Sequence, residues 1–280
     1  MRAMRYQLSE VEIIEMVNRM RLTALDMAMK SGKKGAHLGP AFSCMEIMAV
    51  LYGNVMNLDS ETPEDAGRDR FISSKAHSVL AQYTALHETG YISDQELETF
   101  QNNDTLLGGH PVLDLAHGME YTGGSLGMAL SVGVGMALDA KLKRRTNKVF
   151  ILLGDGELDE GSNWEAVMSA AHFKLDNLII IVDKNGLQYD GPTEIIMNTD
   201  CLRQKFEAFR CKTDVVDGHD VGALLKVFQQ NSENCPQVVI AETVKGKGVS
   251  FMENVREWHH AALSQKQYEQ ALQEIRGAQQ

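Results

Sequence analysis

Long apolar runs alternate with amphipathic segments through the second half of the chain. The runs KVFILL (148–153), NLIIIVD (177–183) and PQVVIAET (236–243) each hold at least four consecutive apolar residues. Segments with helical spacing separate them, namely NWEAVMSAAHFK (163–174) and DVGALLKVFQQ (220–230). Continuous Val/Ile/Leu strands joined through helices are typical of a parallel sheet with both faces covered. The pattern therefore predicts an α/β domain, mostly parallel, with helices on both faces.

The first half of the chain shows helical patterns and polar loops. Ser9 and Glu12 predict a capping box, and apolar residues then recur at helical spacing until Gly32 ends the helix. The Gly-rich segment 31–41 predicts a loop, and 42–56 a largely buried helix. Residues 68–91 predict a short strand, a turn and a helix. The irregular region 102–127 is long for a structureless connection, and such loops tend to be functional or disordered.

The tail SQKQYEQALQEIRG (264–277) predicts a polar amphipathic helix that serves as a surface or interface element. No repeat, low-complexity tract or linker interrupts the sequence. Residues 1–280 are therefore predicted to form one module.

Composition excludes several classes of protein. The net charge of −11 argues against a nucleic-acid or anionic-membrane surface. No apolar run approaches the roughly 18–20 residues of a membrane span, and the N-terminus shows no signal-peptide pattern. The four cysteines lack CxxC spacing and are interpreted as reduced thiols of a cytoplasmic protein.

An acidic glycine turn follows the run KVFILL. The segment LLGDGELDEGSNWEA (152–166) has the strand–turn–helix order of many phosphate sites, yet its five carboxylates should repel a phosphate. Asn185 follows the next apolar run, thirty residues after Asp155. If the two strands are neighbours, Asp155 and Asn185 converge at the carboxyl edge of the sheet.

Oxygen ligands of this kind suit Mg²⁺ or Ca²⁺ rather than zinc. A divalent cation would bridge the acid turn to a diphosphate, with Gly156 letting the backbone approach. GDG alone is common in turns, so the later Asn185 is what makes the pattern specific.

Several segments resemble the thiamine-diphosphate-dependent transketolases. GDGELDEGSNWEA…DKNGLQYDG is similar to the family's thiamine-diphosphate motif. The other similar segments occur in the family's order: SGKKGAHLGPA (31–41), FISSKAHSVLAQYTAL (71–86), GGHPVLDLAHGMEYTGGSLGMALSVGVGMA (108–137) and ETVKGKGVSFMENVREWHHA (242–261). A one-chain transketolase is more than twice this length. The chain therefore resembles the N-terminal, diphosphate-binding subunit of a split transketolase.

The resemblance implies a role for each matching residue. Asp155, Asn185 and the main-chain carbonyl of Leu187 are implied to hold the metal. The implied catalytic histidines are His77, His110 and His259. The implied contacts to thiamine diphosphate are His77, Gly124, Leu126, Gly156, Glu157, Asn185 and His259. Glu160 and Glu165 match acidic positions that meet the partner subunit, although a helix N-terminus also favours acids.

The resemblance also implies an activity and a partner. Transketolases move a two-carbon ketol unit from a ketose donor to an aldose acceptor. The family's glutamate that bonds the aminopyrimidine lies in a second module, and no segment here resembles that module. The chain is therefore expected to be active only with a C-terminal transketolase subunit, in an α₂β₂ assembly with paired sites.

Two departures from the family pattern bear on the substrate. Lys33, followed by Lys34, is interpreted as standing where the N-terminal loop usually has a substrate-facing histidine, with His37 nearby. His260 replaces a glycine in WHHAAL. A lysine could hold an anionic substrate group, or could simply be solvated. The hypothesis is an unusual ketose or a modified sugar phosphate as donor.

Two alternatives remain. The alpha subunit of a 2-oxo-acid or acetoin dehydrogenase shares the thiamine motif, but TGGSLG and GKGVSFMENVREWHH favour a transketolase. A non-catalytic cofactor-binding subunit is the other, against which the intact pair of Asp155 and Asn185 argues. Lys33 argues weakly in its favour.

Overall fold

The computed structural model describes residues 7–277 and has a five-stranded parallel sheet at its centre. The strand order is β1-β2-β3-β5-β4, and every neighbouring pair is parallel. The strands are β1 (Arg70–Ser73), β2 (Val149–Gly154), β3 (Leu178–Lys184), β4 (Lys212–Asp217) and β5 (Gln237–Glu242). The predicted α/β class with a parallel sheet is confirmed.

Helices cover both faces of the sheet. Their bounds are α1 (Glu10–Lys30), α2 (Leu38–Phe42), α3 (Met45–Val50), α4 (Val79–Glu88), α5 (Asp94–Leu97), α6 (Ala129–Leu142), α7 (Gly161–His172), α8 (Thr193–Ile196), α9 (Leu202–Ala208), α10 (Val221–Phe228) and α11 (Gln265–Gly277). A π-helical turn spans Leu51–Val55, and short 3₁₀ turns occupy Gly32–Lys34, Ala76–Ser78, Leu115–His117, Gly156–Asp159 and Arg256–His259. Within residues 7–277 no helix has the length and apolar character that crossing a bilayer requires.

Alternation along the strands divides the core into two apolar clusters. In β2, Phe150 and Leu152 pack into the cluster that contains α1, α3, α4 and α10. Val149, Ile151 and Leu153 face the opposite way, into the cluster beneath α6, α7 and α9. Since side chains of a strand alternate between its faces, a fully apolar run buries both faces.

The first helix has the predicted capping box. The Ser9 hydroxyl accepts from the Glu12 amide, and the Glu12 carboxylate accepts from the Ser9 amide at 2.8 Å. The last helix, α11, packs on α1 and buries Ala271 and Ile275. The remaining surface of this polar helix is largely exposed.

Three elements differ from the sequence prediction. Helix α2 begins at Leu38, inside segment 31–41, for which the sequence predicts a loop. Segment 42–56 holds the end of α2, then α3 and a π-helical turn, rather than one helix. The break falls at Ser43 and Cys44, where the Ser43 hydroxyl donates to the Pro40 carbonyl and to Asp183 instead of facing solvent. The sequence pattern does not predict strand β4, because it lies at the sheet edge and its polar and apolar residues are only partly buried.

Candidate functional site

Strands β2 and β3 are direct neighbours, so their carboxyl ends meet. Gly154 pairs with Asp183 in the register, and the Asp155 amide donates to the Asp183 carbonyl at 3.2 Å. Asp155 Oδ2 accepts from the Gly186 amide at 2.6 Å. The structure therefore brings Asp155 and the loop that contains Asn185 and Leu187 together, as the spacing required.

The oxygen atoms at this edge suit a hard cation. They are a carboxylate (Asp155), a side-chain amide (Asn185) and a main-chain carbonyl (Leu187), the donor types that Mg²⁺ and Ca²⁺ take. Residues 7–277 contain no cluster of three His, Cys, Asp or Glu side chains arranged for a metal. A metal at this edge would therefore be held by one carboxylate, that of Asp155, together with the neutral oxygen atoms of Asn185 and Leu187.

Glycine is required beside Asp155. A Cβ at Gly156 would lie 2.7 Å from Cβ of Gln188, closer than packed carbons allow. The backbone of the turn can therefore approach the β3 loop only without a side chain at this position.

Asp155 is electrostatically poised for a positive partner. Burial raises the pKa of its carboxyl to about 6, and the negative charge of Asp183 adds to the effect. Hydrogen bonds from the Gly186 and Gly156 amides oppose the rise. A cation at this carboxylate would relieve the cost of keeping it ionised.

Two buried lysines supply positive charge next to the acidic groups. Lys75 forms an ion pair with Asp183, and its ammonium also donates to the Pro40 carbonyl and the Ser43 hydroxyl. Lys245 donates to the Leu187 carbonyl at 3.0 Å and lies 3.1 Å from His259 Nδ1. Burial and the charge of Lys75 lower the pKa of Lys245 to about 8.

Glu157 acts as an internal brace. Its buried carboxylate accepts from the Gly127 amide at 2.9 Å, the Gly154 amide at 3.2 Å and the Ser74 hydroxyl. These contacts tie the glycine turn to the loop before α6, so the carboxylate is fully engaged within the chain.

A cavity of about 290 Å³ opens above these groups. Leu126, 38% exposed, lines one side of it. Gly124 lies nearby in sequence with φ of +138° and open space where a side chain would be. Other residues lining the cavity include Lys75, His77, Asp155, Asn185, Lys245 and His259.

Five imidazole rings lie together at the mouth of this cavity. His77 and His259 stack with centroids 4.8 Å apart. The His37 ring is the centre of the group: its centroid lies 5.6 Å from His77, 5.6 Å from His110, 5.5 Å from His259 and 4.5 Å from His260. We call these five residues the histidine cluster.

The inner rings of the histidine cluster favour the neutral state. Burial, assisted by the charges of the neighbouring histidines and Lys245, lowers the pKa of His37 to about 3. Burial, Lys245 and Lys75 lower the pKa of His259 to about 3. Burial together with Lys75 holds the pKa of His77 well below its ordinary value. Neutral imidazoles both donate and accept hydrogen bonds, which proton transfer requires.

The structure places Lys33 and His37 differently with respect to the cavity. His37 occupies the centre of the histidine cluster, whereas Lys33 is exposed on the 3₁₀ turn Gly32–Lys34.

The two acidic interface candidates are exposed. Glu160 ends the 3₁₀ turn after Asp155, and Glu165 lies in the first turns of α7. Two histidines outside the cluster have structural contacts: His117 contacts Asp114 and Glu96, and the His219 ring contacts Glu46 and accepts from the Val244 amide.

Sequence reasoning missed Lys75 and Lys245. Both lie inside segments that carry the family resemblance, SSKAHS and TVKGKG, but a lysine in a loop is usually solvated. The available signal was position, because Lys75 and Lys245 lie two and three residues after the ends of β1 and β5, at the carboxyl edge of the sheet.

Comparisons with known proteins agree with this geometry. Residues 13–279 match the family described as transketolase, thiamine diphosphate binding domain. The chain is 37% identical over 271 residues to a Phocaeicola vulgatus protein named as one subunit of apulose-4-phosphate transketolase, covering 96% of this chain and 95% of that one. It is 44% identical over 243 residues to the protein of the same name from Actinobacillus succinogenes, covering 86% and 88%.

A solved structure has the same fold. Transketolase from Campylobacter jejuni superposes with a TM-score of 0.89 at 28% sequence identity. The match covers 96% of this chain but 43% of that one, so the present chain spans less than half of the one-chain enzyme.

Proposed function

The chain belongs to the transketolase family, as the N-terminal, thiamine diphosphate-binding part, and we propose that it transfers a two-carbon ketol unit from a ketose to an aldose together with a second chain. The observation that carries the proposal is the juxtaposition of Asp155, Asn185 and the Leu187 carbonyl beneath the histidine cluster. Oxygen donors for a metal and neutral imidazoles thus share one cavity.

Each residue has a proposed task. Asp155, Asn185 and the Leu187 carbonyl would hold Mg²⁺ or Ca²⁺, and the metal would in turn hold the diphosphate. Bound thiamine diphosphate would supply the electron sink that lets the bond beside a ketose carbonyl break. The proposed contacts to the cofactor are His77, Gly124, Leu126, Gly156, Glu157, Asn185 and His259. Glu157 also holds the glycine turn in place through its bonds to Gly127, Gly154 and Ser74.

The histidine cluster is proposed to handle protons and sugar hydroxyls. Neutral His77, His110 and His259 would orient the substrate and move protons among its oxygen atoms. His37 joins them because it contacts every other ring of the cluster. The exposure of Lys33 supports no direct contact with substrate inside the cavity.

The proposed substrate is a ketose phosphate with a modified carbon skeleton. The two relatives are named for apulose 4-phosphate, which supports an unusual sugar phosphate rather than a common pentose phosphate. The departure at His260 from the family glycine supports the same class.

The proposed partner is a C-terminal transketolase subunit with the pyrimidine-binding module, in an α₂β₂ assembly. Both relatives are named as one subunit of their enzyme. Exposed apolar side chains on the loop before α6 and on α6 itself support a partner surface that reaches the cavity at Leu126: Leu113, Leu115, Leu126, Met128 and Val132. Glu160 and Glu165 are exposed near this surface and are proposed to meet the partner.

We further propose that residues 1–280 form one module in the cytoplasm. All four cysteines are free thiols, which supports a reducing compartment. The polar helix α11 is proposed as the surface or interface element of the module.

The experiment is to co-express the chain with the candidate partner chain and titrate thiamine diphosphate with Mg²⁺ by calorimetry. Each chain alone and the pair carrying Asp155→Asn serve as tests, and Asp176→Asn at the opposite end of β3 is the matched control. We expect Mg²⁺-dependent binding by the pair and by the control, and its loss in Asp155→Asn. Unchanged binding in Asp155→Asn would contradict the proposed metal site.

Ketol transfer measured on the same samples separates the two alternatives. Binding without transfer from any sugar donor would favour a non-catalytic cofactor subunit. Oxidative decarboxylation of a 2-oxo acid would favour the dehydrogenase subunit. The match to the transketolase family favours neither.

A further inference from the structure

Backbone hydrogen bonds fix the position of His260. Ala36 and Ala261 exchange two backbone hydrogen bonds, of 2.9 Å and 3.2 Å, as an isolated antiparallel bridge. The residues next to such a pair, His37 and His260, lie directly opposite each other without hydrogen bonds, where side chains on one face come closest. Their rings accordingly pack edge to face, with centroids 4.5 Å apart.

Gly35 makes this bridge possible. A Cβ at Gly35 would lie 2.8 Å from the carbonyl carbon of Ala261, and the residue has φ of +70°. The loop holding His37 and the segment holding His260 are thus in van der Waals contact through a position that tolerates only glycine. His260 is therefore held by its framework, although its own side chain is exposed.

Within the histidine cluster, His260 belongs to the outer layer. His77 and His259 line the cavity itself, and His37 lies between them and the outer rings. His110 is the other outer ring and is exposed. Burial and the proximity of His260 lower the pKa of His110, so the two outer rings are near neighbours.

We propose that His260 is a specificity-determining residue that hydrogen bonds to hydroxyl groups on the part of the sugar donor farthest from its carbonyl. The inference rests on the proposed function. A donor whose carbonyl reaches the cavity must extend its remaining carbons past the outer rings. Each of these carbons carries oxygen, and an imidazole offers one donor and one acceptor. Because the ring is already fixed against His37, it loses little freedom on binding.

The test compares sugar phosphate donors with a donor that has no carbon chain to reach the outer rings. The reconstituted pair is assayed with apulose 4-phosphate, xylulose 5-phosphate and hydroxypyruvate, the last of which has no carbon chain to extend past the outer rings. The variants are His260→Gly and His260→Gln, with His172→Gln as the matched control at an exposed histidine in α7. Calorimetric binding of thiamine diphosphate is measured for each variant to establish that the cofactor cavity is intact.

We expect His260→Gly to raise the KM of at least one sugar phosphate about five- to tenfold, because one hydrogen bond to the donor is lost. The kcat should stay within about twofold of the wild-type value. The KM of hydroxypyruvate should stay unchanged, and His260→Gln should recover part of the loss. Equal KM changes for all three donors, or none, would overturn the role of His260. A wild-type pair that turns over no donor would instead count against the proposed function itself.

Discussion

The Lys75 ammonium and the Asp183 carboxylate form a buried ion pair directly beneath the candidate metal ligands. The side chains are 3% and 0% exposed, and the pair joins the turn after β1 to the end of β3. Asp183 also accepts from the Thr243 hydroxyl after β5, so three neighbouring segments of the sheet edge meet at one carboxylate.

Removing the positive member of this pair should destabilise the fold. Lys75→Met leaves a carboxylate buried without its partner, and we expect a loss of about 3–5 kcal/mol in the free energy of unfolding. Urea denaturation of the isolated chain measures it. The double variant Lys75→Met/Asp183→Asn, in which neither side chain is charged, should recover much of the lost stability. A loss below about 1 kcal/mol in the single variant would contradict a structural role.

Acid should weaken the contact between α1 and α3. Burial raises the pKa of Glu46, but Arg21 and His219 outweigh it, so the pKa lies below its ordinary value of 4.5. A lowered pKa contributes stability that is present above pH 4.5 and lost as the pH falls through the folded-state value. Glu46→Gln should therefore cost about 3 kcal/mol at pH 7, and its difference from the wild type should shrink below pH 4.5.

A second ion pair of helix α1, with Glu88 of α4, provides the control. Arg19 and Glu88 are bonded at 2.7 Å, but the Arg19 side chain is half exposed. Glu88→Gln should cost less than about 1 kcal/mol. Equal effects of the two substitutions would mean that burial is not what strengthens the Glu46 contact.

The inner histidines should not titrate near neutrality. With pKa values of about 3, the rings of His37 and His259 should keep constant imidazole chemical shifts between pH 5 and 8. The pKa of His117 is raised above its ordinary value of 6.5, because bonds to Asp114 and Glu96 outweigh the effect of burial. Its ring should therefore titrate in this pH range and serves as the internal reference. NMR of histidine-labelled protein measures all three.

The sign of the stability effect follows from the same shifts. The unfolded chain takes up protons at its histidines near pH 6.5, while the folded state resists them until much lower pH. The contribution of the histidine cluster to folding stability is therefore greatest above pH 6.5 and falls as the pH decreases below 6.5. A His37 resonance that titrates near 6.5 would show the ring to be solvated.

Gly35→Ala should separate the two loops of the histidine cluster. The new methyl group meets the Ala261 backbone, so we expect ketol transfer by the reconstituted pair to fall at least tenfold. Gly32→Ala is the control, since Gly32 also has a positive φ but nothing within 4 Å of the place where a Cβ would stand. It should cost about 1 kcal/mol in stability and leave transfer nearly unchanged. Similar losses of transfer in both variants would assign the effect to backbone strain alone.

Local pattern was sufficient to predict the central strands. Helices cover both faces of strands β2, β3 and β5, so consecutive residues in these strands must be apolar. The resulting unbroken apolar runs can be seen directly in the sequence. The edge strand β4 has Val215 44% exposed and charged neighbours, so its sequence carries no such run. Its place follows from pairing with β5, which is a long-range property.

The candidate site divides in the same way. Asp155 and Asn185 could be brought together from sequence, because one βαβ unit sets their separation. The placement of His37 and the partnership of Lys75 with Asp183 depend on how distant loops close over the sheet. The sequence offers both Lys33 and His37 as substrate contacts, and only the folded loop shows that His37 lies among the other histidine rings while Lys33 is exposed.

The bridge between Ala36 and Ala261 joins residues near opposite ends of the chain. His37 and His260 are 223 positions apart (260 − 37). At 5–20 residues per second on the ribosome, roughly 10–45 s separate their synthesis. The histidine cluster therefore cannot be complete until residue 261 has been synthesised, so the mouth of the cavity forms late in the life of the nascent chain.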